Sequence, residues 1–203
     1  MPSIYQLKSR FQGLLRPVVT SLAAKHVTAN QVTLTAAALS IVMGALLFVF
    51  HASRWPWLAL PLFLFIRMAL NAIDGMLARE HNMKSRLGAI LNELGDVVSD
   101  CAIYLPFASL AGPCGWIVTL ICILAVISEM AGIIGVQIGA SRRYDGPMGK
   151  SDRAFVFGTL GFIVGIGIAP GLWLNAAFVI ILLLTAATIF NRASKALKEG
   201  ADA

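Results

Sequence analysis

Six apolar stretches, at residues 33–50, 57–78, 89–111, 115–139, 154–170 and 172–190, leave few folds open to this chain. A helix needs about 20 mostly apolar residues to cross the hydrocarbon core of a bilayer, and only helices and closed barrels satisfy their backbone there. The composition agrees: 58% of the 203 residues are hydrophobic, 13% are charged, and mean hydropathy is +0.81. Soluble domains hold about 45–50% apolar and about 25% charged residues, so water-soluble folds, disordered regulators and disulfide-stapled modules are excluded. Residues 2–29 lack the compact apolar core of a cleaved leader. Cys101, Cys114 and Cys122 fall in or beside apolar runs and read as small core residues, not as bridges or a metal knuckle. The expectation is an all-α integral membrane protein with six transmembrane helices and a short amphipathic interfacial helix at its N-terminus.

Charge gives the orientation. Of 16 Lys and Arg, all but Arg54 and Arg67 lie in the N-terminal segment, the 79–86 and 142–153 connections, or the C-terminal tail. Six spans place those segments on one side, so both termini are expected in the cytoplasm, with the chain in the inner (plasma) membrane. No basic soluble face for nucleic acid is visible. Ile4, Leu7, Phe11, Leu14 and Leu15 recur at helical spacing among Lys8, Arg10 and Arg16. That pattern suits a helix on the inner leaflet or a cap packed on the spans. The expected organisation is one membrane domain over 1–203: an interfacial segment at 1–30, a six-helix bundle at 31–191 and a cytoplasmic tail at 192–203.

Polar residues then collect where a membrane disfavours them. Asn71, Asp74 and Arg79 end the second stretch; Asn92, Glu93, Asp96 and Asp100 occupy the third. Asn71 and Asp74 stand at i, i+3, and Asn92, Asp96 and Asp100 at i, i+4, i+8, so each set shares one helix face. Two antiparallel helices joined by a short connection bring such oxygens to one cavity, where they suit a hard divalent cation such as Mg²⁺ or Mn²⁺. Inert hydrogen bonding in a bundle interior and a proton or cation relay are the competing readings.

The stretch from Asn71 to Asp96 resembles the signature of the CDP-alcohol phosphatidyltransferases, Asp-x2-Asp-Gly-x2-Ala-Arg-x8-Gly-x3-Asp-x3-Asp. Asp74, Gly75, Ala78, Arg79, Gly88 and Asp96 match it at every spacing, while Asn71 and Asn92 stand at the first and third Asp positions. Ala29-Asn30-Gln31-Val32-Thr33 and Gly149-Lys150-Ser151-Asp152-Arg153 are more weakly similar to segments of the same family. The resemblance implies transfer of a phosphatidyl group from CDP-diacylglycerol, or a similar CDP-linked donor, to an alcohol with release of CMP, in phospholipid biosynthesis. It implies Asp96 as general base, and Asp74, Asn71 and Asn92 as metal ligands, with Asp96, Glu93 and Asp100 as further ones. Arg79 is implied to contact a donor phosphate, and Gly75, Ala78 and Gly88 to make room for the donor beside Asn30 and Thr33. A homodimer is also implied. The two Asn carry no charge, so the ion-binding field is weaker by two formal charges; a non-catalytic relative that binds CDP-lipid or a divalent ion as a scaffold or sensor is the alternative.

Weaker expectations complete the reading. Arg142, Arg143, Lys150 and Arg153 form a basic set suited to a phosphorylated acceptor or, more plainly, to topology and anionic lipid. Glu129, inside the fourth stretch, needs a partner, for which Arg67 is the candidate. Gly135-x3-Gly139 and Gly161-x3-Gly165 are close-packing signals. His81 reads as solvated.

Overall fold

The computed structural model describes residues 4–201, with side chains for 10–112 and 114–200. Among these residues the chain forms seven α-helices and no strand: α1 Ile4–Ala24, α2 Ala29–Val49, α3 Arg54–Glu80, α4 Arg86–Tyr104, α5 Gly115–Gln137, α6 Lys150–Gly165 and α7 Leu172–Ala201. Four of them, α2, α3, α5 and α7, are long and apolar enough to cross a membrane. The other two expected spans fall on α4 and α6. At 16 residues α6 is about 24 Å long against a core of about 30 Å, and α4 carries the polar set.

The helix ends follow local chemistry. The stretch expected as one span at 89–111 ends as a helix at Tyr104, because Pro106 supplies no N–H; a 3₁₀ turn runs over Leu105–Ser109 and a second over Gly112–Cys114. Helix α6 starts earlier than expected, since the Gly149 N–H donates to the Asp152 carboxylate at 2.9 Å and caps its first turn. It stops at Gly165, and the chain turns through Gly167 at φ +101. The tail expected at 192–203 is instead helical as far as Ala201, because α7 continues. Ser141 donates to Glu199 through both its backbone N–H (2.9 Å) and its hydroxyl (3.1 Å), and Lys195 reaches Asp145 at 2.7 Å. Arg143 bridges Asp145 and Glu199. The last turns of α7 therefore hold the 138–149 connection.

The described residues divide into two compact units. The first holds 4–42 and 62–99, the second 43–61 and 100–201. In the first, Val19 of α1 is buried with Ala29 and Val32 of α2 and Ile73, Met76 and Leu77 of α3. The second half of α1 thus packs on these helices, while Leu14 and Val18 stay exposed. The side chains of Ile4, Leu7 and Lys8 lie outside the described ones. Arg16 pairs with Glu80 at 3.1 Å at the surface.

The second unit is built around aromatic rings. Trp57 meets Phe107 edge-on at 4.8 Å between centroids, and Tyr104 stacks on Phe157 at 4.1 Å. Each such pair contributes about 0.5–1.5 kcal/mol beyond the area it buries. Small residues let backbones approach: a Cβ on Gly44 would fall 2.1 Å from the Ala102 carbonyl oxygen, and one on Gly161 would fall 2.7 Å from Leu60. Gly161 and Gly165 (the latter against Leu58) therefore pack within the chain. The Gly135-x3-Gly139 signal divides: Gly135 packs against Ala196 of α7, whereas Gly139 lies beyond the end of α5 at φ +84.

Candidate functional site

In the first unit three helices present the signature residues. The C-terminal half of α3 carries Asn71, Asp74, Gly75, Ala78 and Arg79; the first turns of α4 carry Gly88, Asn92, Glu93 and Asp96; the start of α2 carries Asn30 and Thr33. Asp74 is only 5% exposed and accepts a 2.7 Å hydrogen bond from the Thr33 hydroxyl. A buried carboxylate that accepts a short O–H hydrogen bond is a fixed acceptor. Asn71 Nδ2 donates to Asp96 Oδ1 at 3.2 Å, so the i, i+3 and i, i+4 faces read from the sequence do meet.

Asp96, with its side chain 21% exposed, has a second neighbour that sequence reasoning assigned elsewhere. Arg67 donates to the Asp96 backbone carbonyl at 3.2 Å and lies 3.7 Å from its carboxylate. Glu129, for which Arg67 was the candidate partner, meets Arg153, Arg192 and Arg142 in the second unit. The position of Arg67 four residues before Asn71 on the same helix was the available signal.

The glycines of the signature are covered by side chains of this chain. A Cβ on Gly75 would fall 3.2 Å from the Arg79 guanidinium, and one on Gly88 would fall 2.7 Å from Asn30 Oδ1 and 2.9 Å from Ser85 Oγ. Asn92 and Glu93 are half-buried neighbours on α4, while His81, also half-buried, follows the end of α3. Among the described residues no three His, Cys, Asp or Glu side chains converge as a metal cluster. The signature supplies two carboxylates, Asp74 and Asp96, and the side-chain amides of Asn71 and Asn92. All offer hard oxygens, the type that Mg²⁺ and Mn²⁺ take.

The remaining predicted residues belong to the second unit. Asp100 accepts from Arg153 at 3.3 Å. Arg153, 1% exposed, also reaches Glu129 at 2.9 Å, Ser128 Oγ at 3.2 Å and the Met148 carbonyl at 3.1 Å. Arg192, 2% exposed, joins the same carboxylate at 3.3 Å and donates to the Ser128 carbonyl at 2.5 Å. Arg142 lies 4.0 Å from Glu129, with its guanidinium 4.9 Å from the Tyr144 ring centre. The basic set is therefore not a patch of open cations: Arg153 is an interior residue and Arg143 is bridged to Asp145 and Glu199. Arg192 was read only as part of a tail. Its signal was the stripe Leu174, Phe178, Ile181, Thr185, Thr188, Arg192 and Ala196, which is buried along α7 at helical spacing.

Asp96 presents a half-buried carboxylate beside Asn71 and Arg67. Comparison with known proteins fixes the class. A model of the CDP-alcohol phosphatidyltransferase family matches residues 26–191, and the chain belongs to that family. It is 46% identical over 200 residues to the "Inner membrane protein YnbA" of Escherichia coli (strain K12), covering 98% of this chain and 99% of that one. It shares its fold with Mycobacterium tuberculosis phosphatidylinositol phosphate synthase (PgsA1). The crystal structure in complex with manganese and citrate aligns at a TM-score of 0.75 and 18% identity, over 89% of this chain and 88% of that one. The structure with CDP-DAG bound aligns at 0.70 and 20% identity, over 91% and 92%.

Proposed function

We propose that the chain is a phospholipid-synthesising transferase that moves a phosphatidyl group from CDP-diacylglycerol, or a similar CDP-linked lipid, to an alcohol. The observation that carries this reading is Asp96: a half-buried carboxylate at the last position of the family signature, held by Asn71 at 3.2 Å. The acceptor oxygen attacks the phosphorus bearing the diacylglycerol, the bond from that phosphorus to the CMP oxygen breaks, and Asp96 takes the proton from the acceptor hydroxyl. Asp74, Asn71 and Asn92, with Asp96 and Glu93, would hold Mg²⁺ or Mn²⁺, which would supply charge neutralisation for the leaving phosphate. Asp100 is assigned to structure, since its carboxylate is buried against Arg153. Arg79 binds a donor phosphate, and Gly75, Ala78 and Gly88 keep side chains out of the donor's path. Holding both partners in line is the main catalytic task in phosphoryl transfer.

The same reading makes 1–203 one functional domain, supported by a family match that runs through residues of both units. It counts α4 and α6 as spans alongside the four long apolar helices. Both termini then face the cytoplasm of the inner membrane, supported by the one-sided Lys and Arg distribution, and the working form is a homodimer. A second reading is favoured by a specific observation: Arg67 and Asn71 both occupy the Asp96 carboxylate. In that reading the chain binds CDP-lipid without turnover.

CMP release separates the two. Purified protein in lipid nanodiscs is given CDP-diacylglycerol, Mg²⁺ or Mn²⁺ and a pool of alcohols, with Asp96→Asn alongside. Acceptor-dependent CMP release that disappears in the variant supports the transferase, and mass spectrometry of the lipid names the alcohol. CDP-lipid binding without CMP under every metal and pool supports the second reading.

A further inference from the structure

We propose that Cys101 of α4 and Cys122 of α5 are a reactive dithiol, which a lipid-soluble organic hydroperoxide closes to a disulfide that ties the two helices together. The sequence reads both as small core residues; the fold gives them each other. All three cysteines are free, and the side chains of these two hydrogen-bond to one another across the 3₁₀ turns that separate α4 from α5. The contact is anchored on either side. Gly115, Cys122 and Glu129 recur every seven residues and so share one face of α5. At one end of that face a Cβ on Gly115 would fall 2.8 Å from the Ala108 carbonyl oxygen, in the turn that follows α4. At the other end Glu129 shares the Arg153 guanidinium with Asp100, the residue before Cys101, at 2.9 and 3.3 Å. Cys122 lies midway between these anchors, which hold α4 and α5 together where the sulfurs meet.

Burial divides the roles. Cys101 is partly exposed and Cys122 is 4% exposed, so a reagent reaches the first sulfur and not the second. That is the arrangement of an attacking thiol backed by a resolving one. Helix α5 is apolar enough to cross a membrane, so the oxidant that reaches the pair is one that dissolves in hydrocarbon, whereas the thiol reductants of the cytosol are water-soluble. The Cys101 sulfur attacks the terminal oxygen of the hydroperoxide: an S–O bond forms, the O–O bond breaks, and the alkoxide leaves with the thiol proton as an alcohol. Cys101 is then a sulfenic acid. The Cys122 sulfur attacks it, the S–S bond forms, the S–O bond breaks, and the hydroxyl leaves with the Cys122 proton as water. Two thiols are oxidised to one disulfide, and one hydroperoxide is reduced to alcohol and water.

The test treats the full chain in lipid nanodiscs with cumene hydroperoxide, then denatures it, alkylates it with N-ethylmaleimide and measures its mass. Untreated protein should take three labels, one for each cysteine. Treated protein should take a single label, on Cys114, and a chymotryptic digest should recover the Cys101 and Cys122 peptides joined. Dithiothreitol should restore all three labels. In Cys122→Ser the oxidation should stop at the sulfenic acid, trapped on Cys101 by dimedone, whereas Cys101→Ser should give no dimedone adduct on Cys122. Treated wild type should also melt higher than untreated, because closing a loop of about 20 residues restricts the unfolded chain. Three labels after treatment, a bond that includes Cys114, or a dimedone adduct on Cys122 would each overturn the proposal, and the first is what a purely structural pair would give. Every readout is independent of CMP release. Failure here therefore leaves the transferase reading standing, and a chain that releases no CMP still forms the bond.

Discussion

Glu129 is the residue whose loss should be felt most in the second unit. Its carboxylate lies 2.9 Å from Arg153 and 3.3 Å from Arg192, two guanidinium groups that are almost wholly buried on α6 and α7. Glu129→Gln keeps the shape and one acceptor oxygen but removes the charge, leaving Arg153 with Asp100 and Arg192 with backbone carbonyls. Removing one partner from a buried ion pair costs about 3–5 kcal/mol, since the remaining charge keeps its desolvation penalty. For a chain of this size each kcal/mol moves the melting temperature by about 2–4 °C, so the variant should melt roughly 6–20 °C lower. The assay is a thermal unfolding curve in mild detergent beside Glu80→Gln. That control breaks the solvent-exposed pair with Arg16, and it should leave the melt within error, as surface pairs do. A Glu129→Gln melt within about 2 °C of wild type would refute the argument that this carboxylate holds three helices together.

Four further outcomes are expected. Gly44→Ala should lower the melting temperature, by an amount corresponding to about 1–3 kcal/mol, because its Cβ would press on the Ala102 carbonyl, whereas Gly13→Ala, with open space around it, should not. Thr33→Val should cost about 1.5–3 kcal/mol in the same melt by leaving buried Asp74 without its hydroxyl donor. Gly75→Ala should fold normally but displace the Arg79 guanidinium, raising the KM for CDP-lipid several-fold in the CMP assay. Lys195, followed by Arg143, holds the Asp145 carboxyl below its ordinary value. A lowered folded-state pKa gives stability that is complete above the unfolded value of about 3.9 and fades as pH falls through the folded one. Melts of wild type should therefore drop more steeply between about pH 5 and pH 3 than those of Asp145→Asn.

Hydropathy and spacing carried much of this structure. The apolar runs located α2, α3, α5 and α7, and the i, i+3 and i, i+4 offsets of Asn71, Asp74, Asn92 and Asp96 announced two polar helix faces, of which Asn71 and Asp96 are seen in contact. Helix ends were less legible where one residue decides them: Pro106 closes α4 early, and Asp152 opens α6 early. Side-chain partners were the least legible. Arg67 meets Asp96, and Glu129 collects Arg153 and Arg192, through contacts between residues far apart in the chain that no local pattern encodes. The C-terminal segment misled for a related reason. Its Lys and Arg signal a cytoplasmic tail by composition, yet Lys195 and Glu199 find partners in the 138–149 connection and keep α7 helical.

The buried ion cluster also sets an order of events at birth. Helix α5 leaves the ribosome carrying Glu129 before any of its arginines exists; Arg142 follows 13 residues later and the buried Arg153 24 residues later, about 1–5 s at ordinary elongation rates. During that interval the membrane insertion machinery meets an acidic residue within a span with nothing to neutralise it, a situation worth a few kcal/mol against insertion. By hydropathy α5 is the most apolar of the four long helices, with enough hydrocarbon to enter regardless. The helix can thus enter on its own and is locked when α6 and α7 arrive.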